Sequence, residues 1–161
     1  MSEHERSLAE PAFPGDDGQI DPVLAEVVGG ELVELLSRYG TARVFVPVVA
    51  VLTSDPQTAL IEGDKGADMA AVLMTGADGR QALLTFTSVE AMQRWNPQAR
   101  PVPVYGRDAA RSARAEGATA LLLDLGSPGF RVIETADLEH IADEDVLVRT
   151  ENGTAWVSPG R

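Results

Sequence analysis

The chain has 161 residues, of which 44% are hydrophobic and 24% charged, a balance that fits one globular domain and excludes collagen-like or wholly disordered chains. Its 13 basic residues face 25 acidic ones, and the resulting net charge of -12 makes a phosphate backbone an unfavourable partner. The lack of cysteine excludes disulfides, thiolate metal sites and cysteine nucleophiles, and without a membrane-length apolar run or a basic, apolar leader at MSEHERSLAEPAFPGDDGQ a cytoplasmic location is expected.

Residues 1–20 carry Pro11, Pro14, Gly15 and Gly18 among five carboxylates, too little apolar surface to offset ordering entropy, and are expected to form a disordered acidic arm. The main domain then spans 21–142, and 143–161 form a tail. Asp21 before Pro22 reads as a helix start. The stripe Leu24, Val27, Val28, Leu32, Leu35, Leu36 and Tyr39 predicts one amphipathic helix, kinked at Gly29-Gly30 and ended by a left-handed Gly40. RVFVPVVAVL, residues 43–52, predicts a strand buried on both faces, with Pro47 requiring an edge position or a bulge. The stretch TSDPQTALIEGDKGAD is expected to be a long mobile loop.

Strands near 69–75 and 81–86 are joined through Ala77-Asp78-Gly79-Arg80, a hairpin turn signal. Thr87-Ser88-Val89-Glu90 reads as a capping box, with the Thr87 hydroxyl on the amide three residues on. A short helix with Met92 and Trp95 follows, then RPVPVYG, whose prolines allow a short edge strand at best. Arg107 to Glu116 predicts an alanine-rich helix ended by Gly117, and TALLLD, residues 119–124, the central strand. FRVI is a short strand, Thr135 caps a last helix through Ile141, and Asn152-Gly153 sits at the turn of a terminal hairpin. The predicted fold class is α/β: a mixed sheet of five or six strands, an antiparallel meander followed by strand–helix alternation, with helices packed on the sheet.

GDKGADMAAVLM, ALLTFTSVEAMQRWNPQARPVPV and EGATALLLD resemble, in that order, the N-terminal domain of the SseB (enhanced serine sensitivity) family. The likeness is densest from Thr85 to Val104, where hydroxyl-capped helix, Trp95, Arg100 and the PVPV strand follow one another. It implies a small α/β domain and supplies no catalytic residue and no cofactor.

Phosphate-loop, nucleophile-elbow and H-E-x-x-H patterns are absent, so no catalytic residue, cofactor or metal is assigned. His4 falls in the arm, and His140 near the end of a helix suits the dipole there rather than chemistry. Glu62, Asp64 and Asp68 could hold a hard cation, although a solvated loop is the readier explanation, and Lys65 among them is the only lysine and a candidate binding residue. Positive charge concentrates at Arg94, Arg100, Arg107, Arg111 and Arg114, the last three on one helix face. That face is either solvated or a patch for an acidic protein partner or a phosphorylated ligand. Parallel strands ending near Phe86, Tyr105 and Asp124 would instead gather Ser88, Gly106, Arg107 and Asp124 at their carboxyl ends. Trp95 is either core or, stacked by Arg100, part of an interaction surface. Two functions follow: a non-catalytic interaction or regulatory module using Arg100, Arg107, Arg111, Arg114 and the Trp95–Val104 segment, or a small-molecule or nucleotide-binding enzyme at the strand ends. The oligomeric state is left open.

Overall fold

The computed structural model describes residues 13–50, 58–60 and 69–160. The long predicted helix is two: α1 (Pro22–Ala25), which Asp21 caps by accepting from the Val23 N–H, and α2 (Leu32–Tyr39). Gly29 adopts φ +82°, a left-handed conformation that breaks the helix rather than kinking it. Gly40 stays right-handed at φ -63°, so the predicted left-handed stop is at the wrong glycine.

Strand β1 (Arg43–Ala50) follows, then β2 (Thr58–Leu60), β3 (Met69–Thr75), β4 (Gln81–Thr85), helix α3 (Val89–Trp95), β5 (Arg100–Tyr105), α4 (Gly106–Ala115), β6 (Ala120–Leu123), β7 (Arg131–Glu134) and α5 (Thr135–Ala142). The sheet order is β5-β1-β3-β4-β6-β7, with β2 also paired to β3. The β1-β5, β1-β3, β3-β4 and β6-β7 pairs are antiparallel, and β4-β6 is parallel. The sheet is therefore mixed, and a meander leads into strand–helix alternation. β2 is a strand inside the stretch expected to be a loop; the loop's remaining residues, 53–57 and 61–68, lie outside the described residues.

Pro47 sits in an interior strand rather than at an edge or bulge. The β1-β3 ladder begins one residue later, at Val48↔Ala71, so the missing donor falls just outside it. The prolines of β5, Pro101 and Pro103, do lie in an edge strand, as the sequence predicts.

Strict alternation gives the sheet two apolar faces. Val44, Val46, Leu73, Leu83, Leu121, Leu123 and Ile133 pack with Leu35, Tyr39, Ala109, Ala113, Leu138 and Ile141 beneath α2, α4 and α5. Val72, Leu84 and Phe86 face the other way, against Ala91 and Met92 of α3. α4 can approach closely because Gly106 has no side chain: a Cβ there would meet the Tyr39 carbonyl oxygen at 1.9 Å.

Two segments assigned to the periphery are packed. Residues 13–20 of the predicted arm lie on the sheet end: the Phe13 ring is 4.8 Å from that of Tyr105, and Asp16 pairs with the buried Arg43 at 2.9 Å. Arg43 also donates to the carbonyls of Thr87 and Gln19, fixing this segment in place. At the other end β8 (Val146–Thr150) and β9 (Gly153–Val157) form the predicted hairpin. It docks through Leu147 and Trp156, whose ring stacks on His140 at 5.1 Å and whose indole N–H donates to Asp137. Among the described residues no helix is long and apolar enough to cross a membrane.

Candidate functional site

Only part of the predicted strand-end constellation assembles. β4 and β6 are parallel, so Ser88 and Asp124 meet in a groove of about 480 Å³ that Thr87, Arg94, Ser127 and Gly129 also line. β5, antiparallel to β1, runs opposite to β4, and Gly106 and Arg107 leave the sheet elsewhere. Arg107 borders a cavity of about 120 Å³ with Gly40, Ile141 and Glu144 instead.

Within the groove Asp124 is 4% exposed and left-handed at φ +59°, a conformation that aspartate tolerates better than most residues. One carboxylate oxygen accepts the Thr87 N–H at 2.7 Å and the other the Thr87 hydroxyl at 2.8 Å, which ties the parallel strand ends together. Burial raises the Asp124 pKa above its ordinary value, against the lowering effect of the Thr87 bonds and the Arg94 charge. Because Thr87 is committed to Asp124, the helix cap shifts by one residue. Ser88 Oγ, not Thr87, accepts from the Ala91 N–H at 3.1 Å, and Glu90 pairs with Arg94 rather than reaching back. Arg94 also donates to Ser127 Oγ at 2.9 Å. Thr87, Arg94 and Ser127 belong to this groove although the sequence reading did not place them there; the hydroxyl and Arg types carried no signal without the strand pairing.

The arginine face of α4 is matched by acids on and just after α5. Arg107 pairs with Glu144 at 3.6 Å and lies over the Tyr105 ring. Arg111 binds Glu144 at 2.6 Å, Asp108 at 3.0 Å and the Ala142 carbonyl at 2.9 Å. Arg114 binds Glu139 at 3.1 Å and Asp143 at 3.0 Å. These ion pairs and hydrogen bonds raise the pKa of Arg111 and Arg114 still further. The row of cations is a seam between α4 and α5. At the start of α5 the predicted Thr135 cap is absent, since its hydroxyl donates to the Thr119 carbonyl, and near the end of the helix His140 Nδ1 lies 2.7 Å from Asp145.

Arg100 is different. It is exposed and, alone among the described arginines, has no side-chain hydrogen bond or ion pair with another described residue. Trp95 does not stack with it: the indole is half-buried against Phe86, ring centroids 5.6 Å apart, in the core beneath α3. Beside Arg100 an apolar cleft of about 410 Å³ opens between β5 and the C-terminal end of α4. Val46, Val48, Leu73, Leu83, Val102 and Val104 line its sheet side, and Ala115 and Glu116 its helix side. Its signal in the sequence is the alternation Pro101-Val102-Pro103-Val104, which sends both valines to one face.

Lys65, Glu62, Asp64, Asp68 and His4 lie outside the described residues. Among the described residues no three His, Asp or Glu side chains are grouped to hold a metal ion. Comparison with curated proteins and with solved structures gave no match. The SseB protein N-terminal domain profile, in contrast, matches residues 23–140, most of the chain, and the chain therefore belongs to the SseB family.

Proposed function

We propose that this chain is a non-catalytic, cytoplasmic protein-interaction module whose docking face is the apolar cleft between β5 and α4. The cleft itself carries the proposal. Val46, Val48, Leu73 and Leu83 are buried at the floor of the cleft, but α4 ends at Ala115 and Val102 on its β5 wall is left 39% exposed. The same face of the molecule carries the α4 arginines, but their charge is answered by Glu139, Asp143 and Glu144, so aliphatic side chains rather than Arg107, Arg111 and Arg114 are the means of recognition. A photo-crosslinking residue at Val102, compared with one at the exposed Ala136 of α5, tests this in the full chain. Discrete adducts specific to position 102, whose purified partner binds the Val102→Asp variant at least tenfold more weakly, are expected. Adducts common to both positions would overturn it.

A second reading has its own observation: the groove of about 480 Å³ at the β4 and β6 ends with a buried, left-handed Asp124. On this reading the chain is a small-molecule or nucleotide-binding enzyme whose ligand lies beside Ser88 and Arg94. A thermal-shift screen with nucleotides, amino acids, phosphorylated metabolites and divalent cations decides it. A saturable shift lost in Ser88→Ala and Asp124→Asn would support this reading, and flat curves throughout would remove it.

A further inference from the structure

Resting on the interaction reading, we infer that the cleft takes a helix of a partner protein that presents aliphatic side chains to Val102 and Val104 and a carboxylate to Arg100. Three features of β5 lead there.

The first is which side chains share a face. The register Val48↔Arg100, Val46↔Val102 and Val44↔Val104 puts Arg100 on the same face as the valines that line the cleft, at its rim. The second is charge. In a chain of net charge -12, every other described arginine is held by a carboxylate or a carbonyl, and this one stands beside aliphatic surface without a partner among the described residues. A docked partner would dry the rim and strengthen a charge-assisted bond between the guanidinium and a carboxylate. The Glu116 side chain, on the opposite wall, also lacks a partner among the described residues and repels a second carboxylate, so the acid belongs at one end of the partner only.

The third feature concerns the partner's backbone. Edge strands commonly recruit partners by adding a strand. Phe45 exchanges both of its backbone hydrogen bonds with Phe86, 2.8 Å each way, so its polar groups point away from β5. Alternation then turns the backbone nitrogens of Pro103, opposite Phe45, and of Pro101, opposite Pro47, to the outer edge. Neither nitrogen carries a hydrogen. A strand laid along this edge would leave its own carbonyls without donors, at a cost that a helix, which satisfies its backbone internally, does not meet. The partner therefore approaches the face of the sheet and not its edge.

A displayed library of random 20-residue peptides, selected on the immobilised full chain and re-measured against two folded variants at exposed positions, tests the inference. The expected winners carry Leu, Ile or Met at helical spacing with Asp or Glu at one end. They lose at least tenfold affinity for Arg100→Glu, recover it when their acid is changed to lysine, and fail to bind Val102→Glu. Winners that require Val102 but ignore the charge at position 100, or that alternate as strands, would overturn the helix-and-carboxylate inference while leaving the cleft as the docking face. No winners, or winners indifferent to Val102→Glu, would overturn the docking face as well.

Discussion

The seam between α4 and α5 and the rim of β5 carry the same side chain in opposite circumstances. Arg111 and Arg114 meet Glu139, Asp143 and Glu144, which lie on or just after a helix far along the chain; Arg100, one strand earlier, meets nothing among the described residues. The sequence separates the two regions by element, a helix face against an edge strand, but does not show which of these arginines meets a carboxylate. What decides this is the element that topology sets opposite. A cluster of like charge in a sequence is thus a statement about local composition, whereas a recognition surface consists of what remains unpaired after folding.

Arg43 marks the extreme of this comparison and gives the largest expected effect. Its side chain is 8% exposed, pairs with Asp16, serves the Thr87 and Gln19 carbonyls and covers the Phe45 ring at 4.1 Å. Arg43→Met takes this donor from the Thr87 and Gln19 carbonyls and the cation from Asp16, and should lower unfolding free energy by about 3–5 kcal/mol in urea titration. It should also release residues 13–20, detectable as a new proteolytic site. An unchanged midpoint would mean that the buried pair stabilises no more than a surface one.

Reversing the seam comes next. The double change Arg111→Glu and Arg114→Glu sets two new carboxylates against Glu139, Asp143 and Glu144, and the melting temperature should fall, by less at high salt because these side chains are 39–40% exposed. The sequence alone reads this face as solvated or as a patch for a partner, neither of which ties the α4 arginines to folding. A melting temperature equal to wild type at low salt would return them to the pool of free surface charge.

Elements set by neighbours in the chain were legible in the sequence. Asp78-Gly79 turns the β3-β4 hairpin with Gly79 at φ +83°, Gly117 ends α4 at φ +77°, and Asn152-Gly153 turns the last hairpin. Features decided by distant partners were not. Thr87 and Ser88 are equally good caps locally, and only Asp124 takes Thr87 out of the competition. Pro47 reads as an edge proline because a sequence does not show that the β1-β3 ladder starts one residue beyond it. Of the strand-end constellation, Ser88 and Asp124 do share a groove and Arg107 does not reach it, because β5 runs against β4. The alternation Pro101-Val102-Pro103-Val104 marks one wall of the apolar cleft in the sequence, but the cleft itself exists only because the end of α4 at Ala115 is set beside β5 by the fold.

Asp124 is the acidic counterpart of Arg43, and its prediction depends on pH. Burial raises its pKa in the folded state, so the native protein binds this proton more tightly than the unfolded chain. Stability from this group is complete below the ordinary carboxylate value and declines as pH rises through the folded value. Asp124→Asn keeps the left-handed backbone and an acceptor for the Thr87 N–H but cannot ionise. Its melting temperature relative to wild type should therefore climb with pH across the acid range and level off above it. A difference independent of pH would show that Asp124 is not destabilised by ionisation.

The smallest effect on stability is expected where the effect on binding is largest. The Arg100 side chain makes no hydrogen bond or ion pair among the described residues, so Arg100→Ala should stay within about 0.5 kcal/mol of wild type in urea titration. The same loss of charge at Arg111 would leave Glu144 and Asp108 without their shared cation and should be felt. If instead Arg100→Ala destabilises as much as Arg111→Ala, then Arg100 is a structural residue like those of the seam. The rim of β5 would then offer a partner only the shape of its cleft.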